Sequence, residues 1–337
     1  MSRGTRSEFD LIRRFFSGRG ALRDDVAIGI GDDGAVLRVE HDVELVLSVD
    51  TLVSGVHFPP STDARSIGHK ALAVNLSDMA AMAADPAWAT LALTLPRVDE
   101  TWLQEFADGF FDLAQRFNVQ LVGGDLTRGP LAVTVQLHGF VPRGEALRRD
   151  TARSGDLVYV TGTLGDAALA LELLPHPDGC REAFGYLRAR LDRPEPRVAQ
   201  AMALRNLASA AIDVSDGLAA DLGHILEASG VGATLYVDRL PRSHAFRSCT
   251  AETGSARPEV PSWEDLALAG GDDYELCFTI PAARTPELAR LTQLDAGGCT
   301  CIGVIEASPG LRCVTQDGAL WQPGREGYDH FREDPPE

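Results

Sequence analysis

Gly29-Ile-Gly-Asp-Asp-Gly-Ala-Val36 is the stretch on which the reading of the fold turns. It contains G-x-G-x-x-G, and ahead of a helix that pattern would set a pyrophosphate on bare glycine amides. Two features oppose this. Asp32 and Asp33 stand where the phosphate would come, and residues 35–39 (Ala-Val-Leu-Arg-Val) are rich in β-branched residues and read as a strand. A phosphate approaches two carboxylates only with a cation in between. The loop therefore reads as a divalent-metal site, and the rest of the chain should supply more oxygen ligands and a phosphorylated substrate.

Outward from this turn, residues 26–30, 35–39 and 44–49 read as successive strands, the last running into Ser48-Val-Asp50. Residues 65–84 form a helix that is small and apolar all round, so it should be buried, with Pro86 just past its end. Asn75, Ser77 and Asp78 interrupt it. A buried lone carboxylate is costly unless it is paired or metal-bound, which favours Asp78 as a ligand over a simple loop hydrogen bond. Residues 88–95 read as a strand, Asp99 as the cap of a helix reaching Phe117, and 119–122 as a strand that enters Gly123-Gly-Asp125. A longer strand spans 131–141. The Arg-rich stretch from Pro142 to Asp156 breaks the pattern. We expect domains at 1–142 and 157–337, with 143–156 as linker.

The second half starts again with a strand (157–161), a glycine turn and a helix (166–174); 175–196 reads as irregular or partly helical. Strand 210–214 leads into Ser215-Asp-Gly217 and a helix, and strand 233–237 follows. Residues 242–262 read as an exposed excursion. Gly270-Gly-Asp-Asp-Tyr-Glu275 precedes strand 276–280, and a helix (285–294) and a strand (300–305) complete the core. A duplicated topology is suggested weakly by the comparable order of the two halves. The fold class is α/β with both halves mixed (α+β in character).

Lys plus Arg total 31 against 49 Asp plus Glu, a formal charge of −18, which argues against a nucleic-acid or membrane surface. It does not exclude phosphate ligands bridged by Mg²⁺. The six cysteines lack zinc-knuckle or C-x-x-C spacing and read as free thiols in a reducing cytosol. With no signal core at the N-terminus and no membrane-length run, we expect a cytoplasmic protein. The chain has no Walker A motif, no protein-kinase signature and no G-x-S-x-G elbow. Asp32, Asp33, Asp50, Asp125, Asp213, Asp216, Asp272 and Asp273 fall at strand ends or glycine turns, and Asp78 joins them from the buried helix. Each alone is an ordinary turn residue; together they ask for more than one cation.

Taken together, Gly29–Val36, Ser48-Val-Asp-Thr-Leu-Val-Ser-Gly-Val-His-Phe58, residues 70–82, Gly123-Gly-Asp125, Asp213-Val-Ser-Asp-Gly217 and Gly270–Leu276 resemble the thiamine-monophosphate kinases. These belong to the aminoimidazole ribonucleotide synthetase-like ATP-binding proteins. The resemblance runs in order from about residue 7 to Phe331. It implies two α/β domains, the N-terminal sheet pairing across a homodimer and the C-terminal sheet flanked by helices. It also implies transfer of the ATP γ-phosphoryl to thiamine monophosphate with several Mg²⁺ ions. By position it assigns metal binding to Asp33, Ser48, Val49, Asp50, Asp78, Asp125, Asp213 and Asp216. It places ATP against Gly124, Asp125, Arg149 and Ser215, and thiamine monophosphate near His57, Asp272 and Tyr328. Asp50, Asp125 and Arg149 are the expected catalytic groups. Val49 replaces the family's usual Thr or Ser, so only its carbonyl could bind metal; Asp272 stands where Glu is usual, shortening the reach by one methylene. Selenophosphate synthetase is disfavoured because no cysteine precedes Cys180, and the hydrogenase-maturation relative because the chain lacks a C-terminal cysteine. The alternatives are another ATP-using member of the same superfamily, aminoimidazole ribonucleotide synthetase-like, and, from another class, a non-catalytic Mg-nucleotide-binding protein.

Overall fold

The computed structural model describes residues 7–175, 180–253, 261–294, 298–322, 324 and 327–328. The chain divides into two units, Met1–Met79 with Ala84–Ala146, and Ala80–Ala83 with Leu147–Glu337.

The first unit runs α1 (Glu8–Phe15), β1 (Val26–Ile28), β2 (Val36–Leu37), β3 (Val43–Val53), α2 (Ala64–Ala81), β4 (Asp85–Leu95), α3 (Glu100–Arg116), β5 (Gln120–Arg128) and β6 (Ala132–Pro142). Ser7 opens α1 through a capping box with Asp10, and Asp99 caps α3 by accepting from Thr101 and Trp102 N–H. Four strands form a sheet in the order β3-β6-β4-β5, with β4 and β5 parallel and the other pairs antiparallel. Period two divides its faces. Val133, Val135 and Leu137 of β6 and Leu91 and Leu93 of β4 are buried with the fully buried Leu72, Leu76 and Met79 of α2. On β3 the opposite face shows Leu45, Leu47 and Val49 to solvent, Val49 being 61% exposed. The strands expected at 26–30 and 35–39 are shorter, because Gly29–Gly34 turns between them; β1 and β2 pair antiparallel.

The second unit runs β7 (Asp156–Thr161), α4 (Asp166–Leu173), α5 (Arg181–Asp192), α6 (Val198–Leu204), β8 (Ala210–Val214), α7 (Leu218–Ser229), β9 (Gly232–Tyr236), α8 (His244–Thr253), α9 (Trp263–Ala269), β10 (Glu275–Pro281), α10 (Thr285–Leu294), β11 (Cys299–Glu306), β12 (Gly310–Val314) and β13 (Leu320–Trp321). Its seven-stranded sheet has the order β13-β12-β9-β11-β7-β10-β8. Strand β10 lies between β7 and β8, antiparallel to both, and every residue from Glu275 to Ile280 is buried. Being paired on both sides explains why Leu276-Cys-Phe-Thr-Ile280 is apolar but for Thr279.

Two expectations are corrected here. Residues 242–253 are not an exposed excursion: α8 buries Phe246 and Cys249 against α4 and α5. Residues 254–260 of that stretch lie outside the described residues. Nor are all the cysteines free. Cys180, at the start of α5, is disulfide-bonded to Cys249 of α8, with Cα atoms 5.2 Å apart. The pair is separated by 69 residues, so only the packing of α5 on α8 reveals it. Cys277 and Cys313 are buried free thiols, and Cys299 and Cys301 are half-buried.

Candidate functional site

In the first unit the opening loop does not sit alone. Residues Ile30–Ala35, the β5 stretch from Leu121 to Leu126, and Phe9, Ile12, Arg13 and Phe16 from the N-terminal segment line one cavity of about 810 Å³. Apolar side chains make much of its wall, while Asp32, Asp33 and Asp125 bring carboxylates to it. Phe9 of α1 is 71% exposed and contributes to this wall instead of the core. The Asp33 N–H donates to Asp32 Oδ1 at 2.9 Å, so the two acids shape their own turn. Gly124 has φ +152°, and a Cβ there would come within 1.9 Å of the Leu91 carbonyl oxygen. Only glycine lets β5 run this close to β4 and carry Asp125 at the cavity.

The Ser48 hydroxyl donates to Asp78 on α2. Period two then sets Asp50 on the same face of β3 and turns the Val49 side chain away, so that the only oxygen Val49 can offer is its backbone carbonyl. His57 lies in the turn after β3. Its Nδ1 accepts the Val53 N–H at 2.9 Å, which puts the ring proton on Nε2, and its carbonyl accepts from the buried Lys70 ammonium at 3.2 Å. The register sets a limit. Asp50 pairs with Val135, which pairs with Leu91, which pairs with Gly124. Asp50 and Asp125 therefore stand on opposite edge strands, three interstrand steps or about 14 Å apart. That is beyond any shared ion within one sheet. Consistently, no group of three or more His, Cys, Asp or Glu is gathered in ligand geometry among the described residues.

The second unit holds its candidates differently. Asp213 is the penultimate residue of β8 and is 4% exposed; Ser215 and Asp216 follow in a half-buried turn. The Gly270–Tyr274 loop is tied to this turn through the backbone. Asp272 N–H donates to the Ser215 carbonyl at 2.8 Å, Tyr274 N–H to the Val214 carbonyl at 2.8 Å, and Tyr328 N–H to the Asp216 carbonyl at 3.1 Å. Asp272 and Tyr274 have φ +67° and +51°, left-handed values that cost about 1 kcal/mol or more for a side-chain-bearing residue. A Cβ at Gly271 would lie 2.6 Å from the Ser215 carbonyl oxygen. Tyr274 Oη donates to Asp272 Oδ1 at 3.0 Å and so orients it. Thus Asp213, Ser215, Asp216, Asp272 and the backbone of Tyr328 form one constellation. Arg149 belongs to the same unit; its carbonyl accepts from Ser229 Oγ at 2.8 Å and its side chain is exposed.

Next to that constellation in the chain lies a buried group in which the sequence singled out Asp273 but not Glu275, Arg190 or Arg197. Glu275 is fully buried. Its carboxylate accepts from Arg197 Nε and Nη2 at 2.7 and 2.6 Å, from Arg190 Nη2 at 2.8 Å and from Thr161 Oγ1 at 2.7 Å. Arg190 also donates to the Asp273 carbonyl at 3.2 Å, and the Asp273 carboxyl accepts the Gly165 N–H. Burial raises Asp273 well above the ordinary carboxylate range, outweighing that hydrogen bond and Arg190. For Arg190 burial acts downward, but the carboxylates of Glu275, Asp273 and Asp166 outweigh it and its pKa is raised. Asp221, in the first turn of α7, is the other group missed. Burial first, then the neighbouring Asp213 and Asp216, push it up to about 7.

Comparison with known proteins places this arrangement. The description "AIR synthase related protein, N-terminal domain" matches residues 31–141, and its C-terminal counterpart matches residues 153–314. The thiamine-monophosphate kinase of Escherichia coli (strain K12) is 48% identical over 326 residues, spanning 96% of this chain and 98% of that one. The Bacillus subtilis (strain 168) protein of that name is 34% identical over 335 residues, 96% of this chain and 99% of its own. Among solved structures, thiamine-monophosphate kinase from Stenotrophomonas maltophilia superposes with TM-score 0.79 at 48% identity, covering 86% of this chain and 92% of that one. AaThiL complexed with AMPPCP and TMP superposes with TM-score 0.76 at 30% identity, covering 98% of this chain and all of that one (100%).

Proposed function

The chain belongs to the thiamine-monophosphate kinase family, and from that premise we propose that it phosphorylates thiamine monophosphate to thiamine diphosphate at the expense of ATP. One observation carries the reading: identity of 48% along 96% of the chain. The donor sets agree with it. They consist of carboxylates and hydroxyls, which suit a hard cation such as Mg²⁺ and not a soft one. Asp33, Ser48, Asp50, Asp78, Asp125, Asp213 and Asp216, with the Val49 carbonyl, are the proposed ligands. When bound, Mg²⁺ would neutralise phosphate charge and orient the reacting groups.

The protein's own residues then have a limited task. The nucleophile is a phosphate oxygen of the substrate, already ionised near neutral pH because the second pKa of a phosphate monoester is about 6. No general base is needed. Gly124 lets the backbone approach the nucleotide, Ser215 contributes a hydroxyl to it, and Arg149 offsets charge on the group in transfer. His57, Asp272 and Tyr328 hold the thiamine monophosphate. Asp272, steadied by Tyr274, compensates for its short side chain by fixed aim. Transfer is direct and in line, without a phosphoenzyme. The reading sets the enzyme in the cytoplasm, where ATP is available.

A homodimer is part of the proposal. Two features support it: the exposed apolar row Leu45, Leu47 and Val49 on edge strand β3, and the separation of Asp50 from Asp125 across the sheet. A second copy whose β5 approached β3 would reunite those two acids. The reaction is tested by following ADP formation with thiamine monophosphate, thiamine or formylglycinamidine ribonucleotide as acceptor. Turnover with the first alone is expected. Turnover only with the last would move the chain to another branch of the superfamily, and turnover with none would make it a binding protein. Light scattering should give twice the chain mass; a monomer would remove the dimer.

A further inference from the structure

Asp221 is absent from every role assigned so far, yet its surroundings are unusual. It sits in the first turn of α7, is 3% exposed, and lies close enough to Asp213 and Asp216 to feel their charge. A surface acid there would be unremarkable at a helix N-terminus. A buried acid beside two other carboxylates is unfavourable unless it does something specific. What it does is visible in the hydrogen bonds. One oxygen, Oδ2, accepts the Ser215 N–H at 2.9 Å and the Asp216 N–H at 3.1 Å. Gly217, the residue before the helix, offers no side-chain cap.

The backbone of this turn is held from both sides. The Val214, Ser215 and Asp216 carbonyls accept from Tyr274, Asp272 and Tyr328, and the Ser215 and Asp216 amides point to Asp221. Consecutive amides drawn to one oxygen fix the peptide plane between them. We infer that Asp221 is a positioning residue: by holding both amides it sets the direction in which the Ser215 hydroxyl and the Asp216 carboxylate are presented. This rests on the reading of Ser215 and Asp216 as nucleotide- and metal-facing groups. The work Asp221 does needs an acceptor oxygen, not a charge. An amide side chain supplies that oxygen, and its NH₂ would face Asp213 and Asp216 more comfortably than a carboxylate does.

The experiment is amide hydrogen exchange on the ligand-free, metal-free full chain, joined to steady-state kinetics. In the unaltered protein the Ser215 and Asp216 amides should exchange at least about 100-fold slower than unstructured peptide although the turn is half-buried. In Asp221→Ala their protection should fall about tenfold or more while Ile212 in β8 is unchanged, and KM for ATP should rise about tenfold, more than kcat falls. Asp221→Asn should restore protection and kinetics to within about threefold. Unprotected amides in the unaltered protein would overturn the inference, as would unchanged protection in Asp221→Ala. So would an Asn variant as impaired as the Ala variant, since Asp221 would then act through its charge. If Asp221→Ala does not fold, the other two arms decide. If the chain proves not to use thiamine monophosphate, the exchange result still stands by itself.

Discussion

Two glycine-flanked aspartate turns carry the candidate chemistry, and they are built in opposite ways. In the first unit Asp32 and Asp33 are exposed on a cavity wall, and the hydrogen bond that shapes their turn is internal to it. In the second unit the Asp213–Gly217 turn is clasped by Asp221, by the Asp272 and Tyr274 amides, and by the Tyr328 amide. The first is open and costs the fold little. The second is preorganised, with two left-handed residues just before a buried ionic knot. One unit thus offers its acids to whatever enters; the other holds a fixed template.

This contrast can be broken most forcefully at Glu275. Glu275→Gln takes from Arg190 and Arg197 the anion they share, leaving Arg190 the more distant Asp166, and should cost about 3–5 kcal/mol of stability. Urea unfolding measures it; a loss below about 1 kcal/mol would mean that solvent already screens the knot. Next in size are Asp125→Asn and Asp50→Asn. Each should lower kcat/KM by about 100-fold or more, near 2.7 kcal/mol, even at high Mg²⁺, with stability within about 0.5 kcal/mol of the parent. Near-normal turnover would take them out of the site; a large loss of stability would mean that the first unit is not as open as described. Gly271→Ala then probes the clasp itself. Its Cβ must displace the Ser215 carbonyl, so a loss of about 1–3 kcal/mol is expected together with a raised KM for thiamine monophosphate. An unaffected variant would show slack between the two loops.

The smallest effect concerns acid. Burial tends to raise Asp25, but the Arg23 guanidinium and the Trp88 indole N–H, which donates at 2.9 Å, outweigh it and hold the carboxyl below the usual range. A carboxylate depressed in the fold stabilises above its unfolded pKa and loses that contribution as pH falls through its folded pKa. Stability should therefore drop by about 1 kcal/mol below about pH 4, with a change in Trp88 fluorescence, and Asp25→Asn should lack this component. An identical acid transition in both proteins would refute it.

What the sequence made legible follows from the range of the interactions. The strands of the first sheet announce themselves by short apolar and β-branched runs, α2 by its length of small apolar residues before Pro86, and α3 by Asp99 as a cap. The metal-type acids stand out because glycines and strand ends flag them. Glu275 and Asp221 do not stand out, since each looks like an ordinary acid on a regular element. Their meaning depends on Arg190 and Arg197, 85 and 78 residues earlier in the chain, and on amides turned toward a helix. Helix α8 was hidden for a similar reason: Phe246 and Cys249 are too sparse an apolar stripe to read, and their burial depends on α4 and α5. The division of Asp50 and Asp125 between edge strands is a matter of sheet order, which adjacency in sequence does not convey.

The short passage from Asp272 to Glu275 ends with a consequence for sequence change. Within four residues the chain goes from a half-buried carboxylate aimed by Tyr274 to a fully buried one gripped by two guanidiniums. One residue inserted or deleted between Gly270 and Glu275 would bring Tyr274 or Leu276 opposite Arg190 and Arg197 and throw Asp272 off its partner. Single replacements there are graded in effect, but a frame of this kind has no intermediate settings. Length, more than composition, is what a gene encoding this unit must preserve at that point.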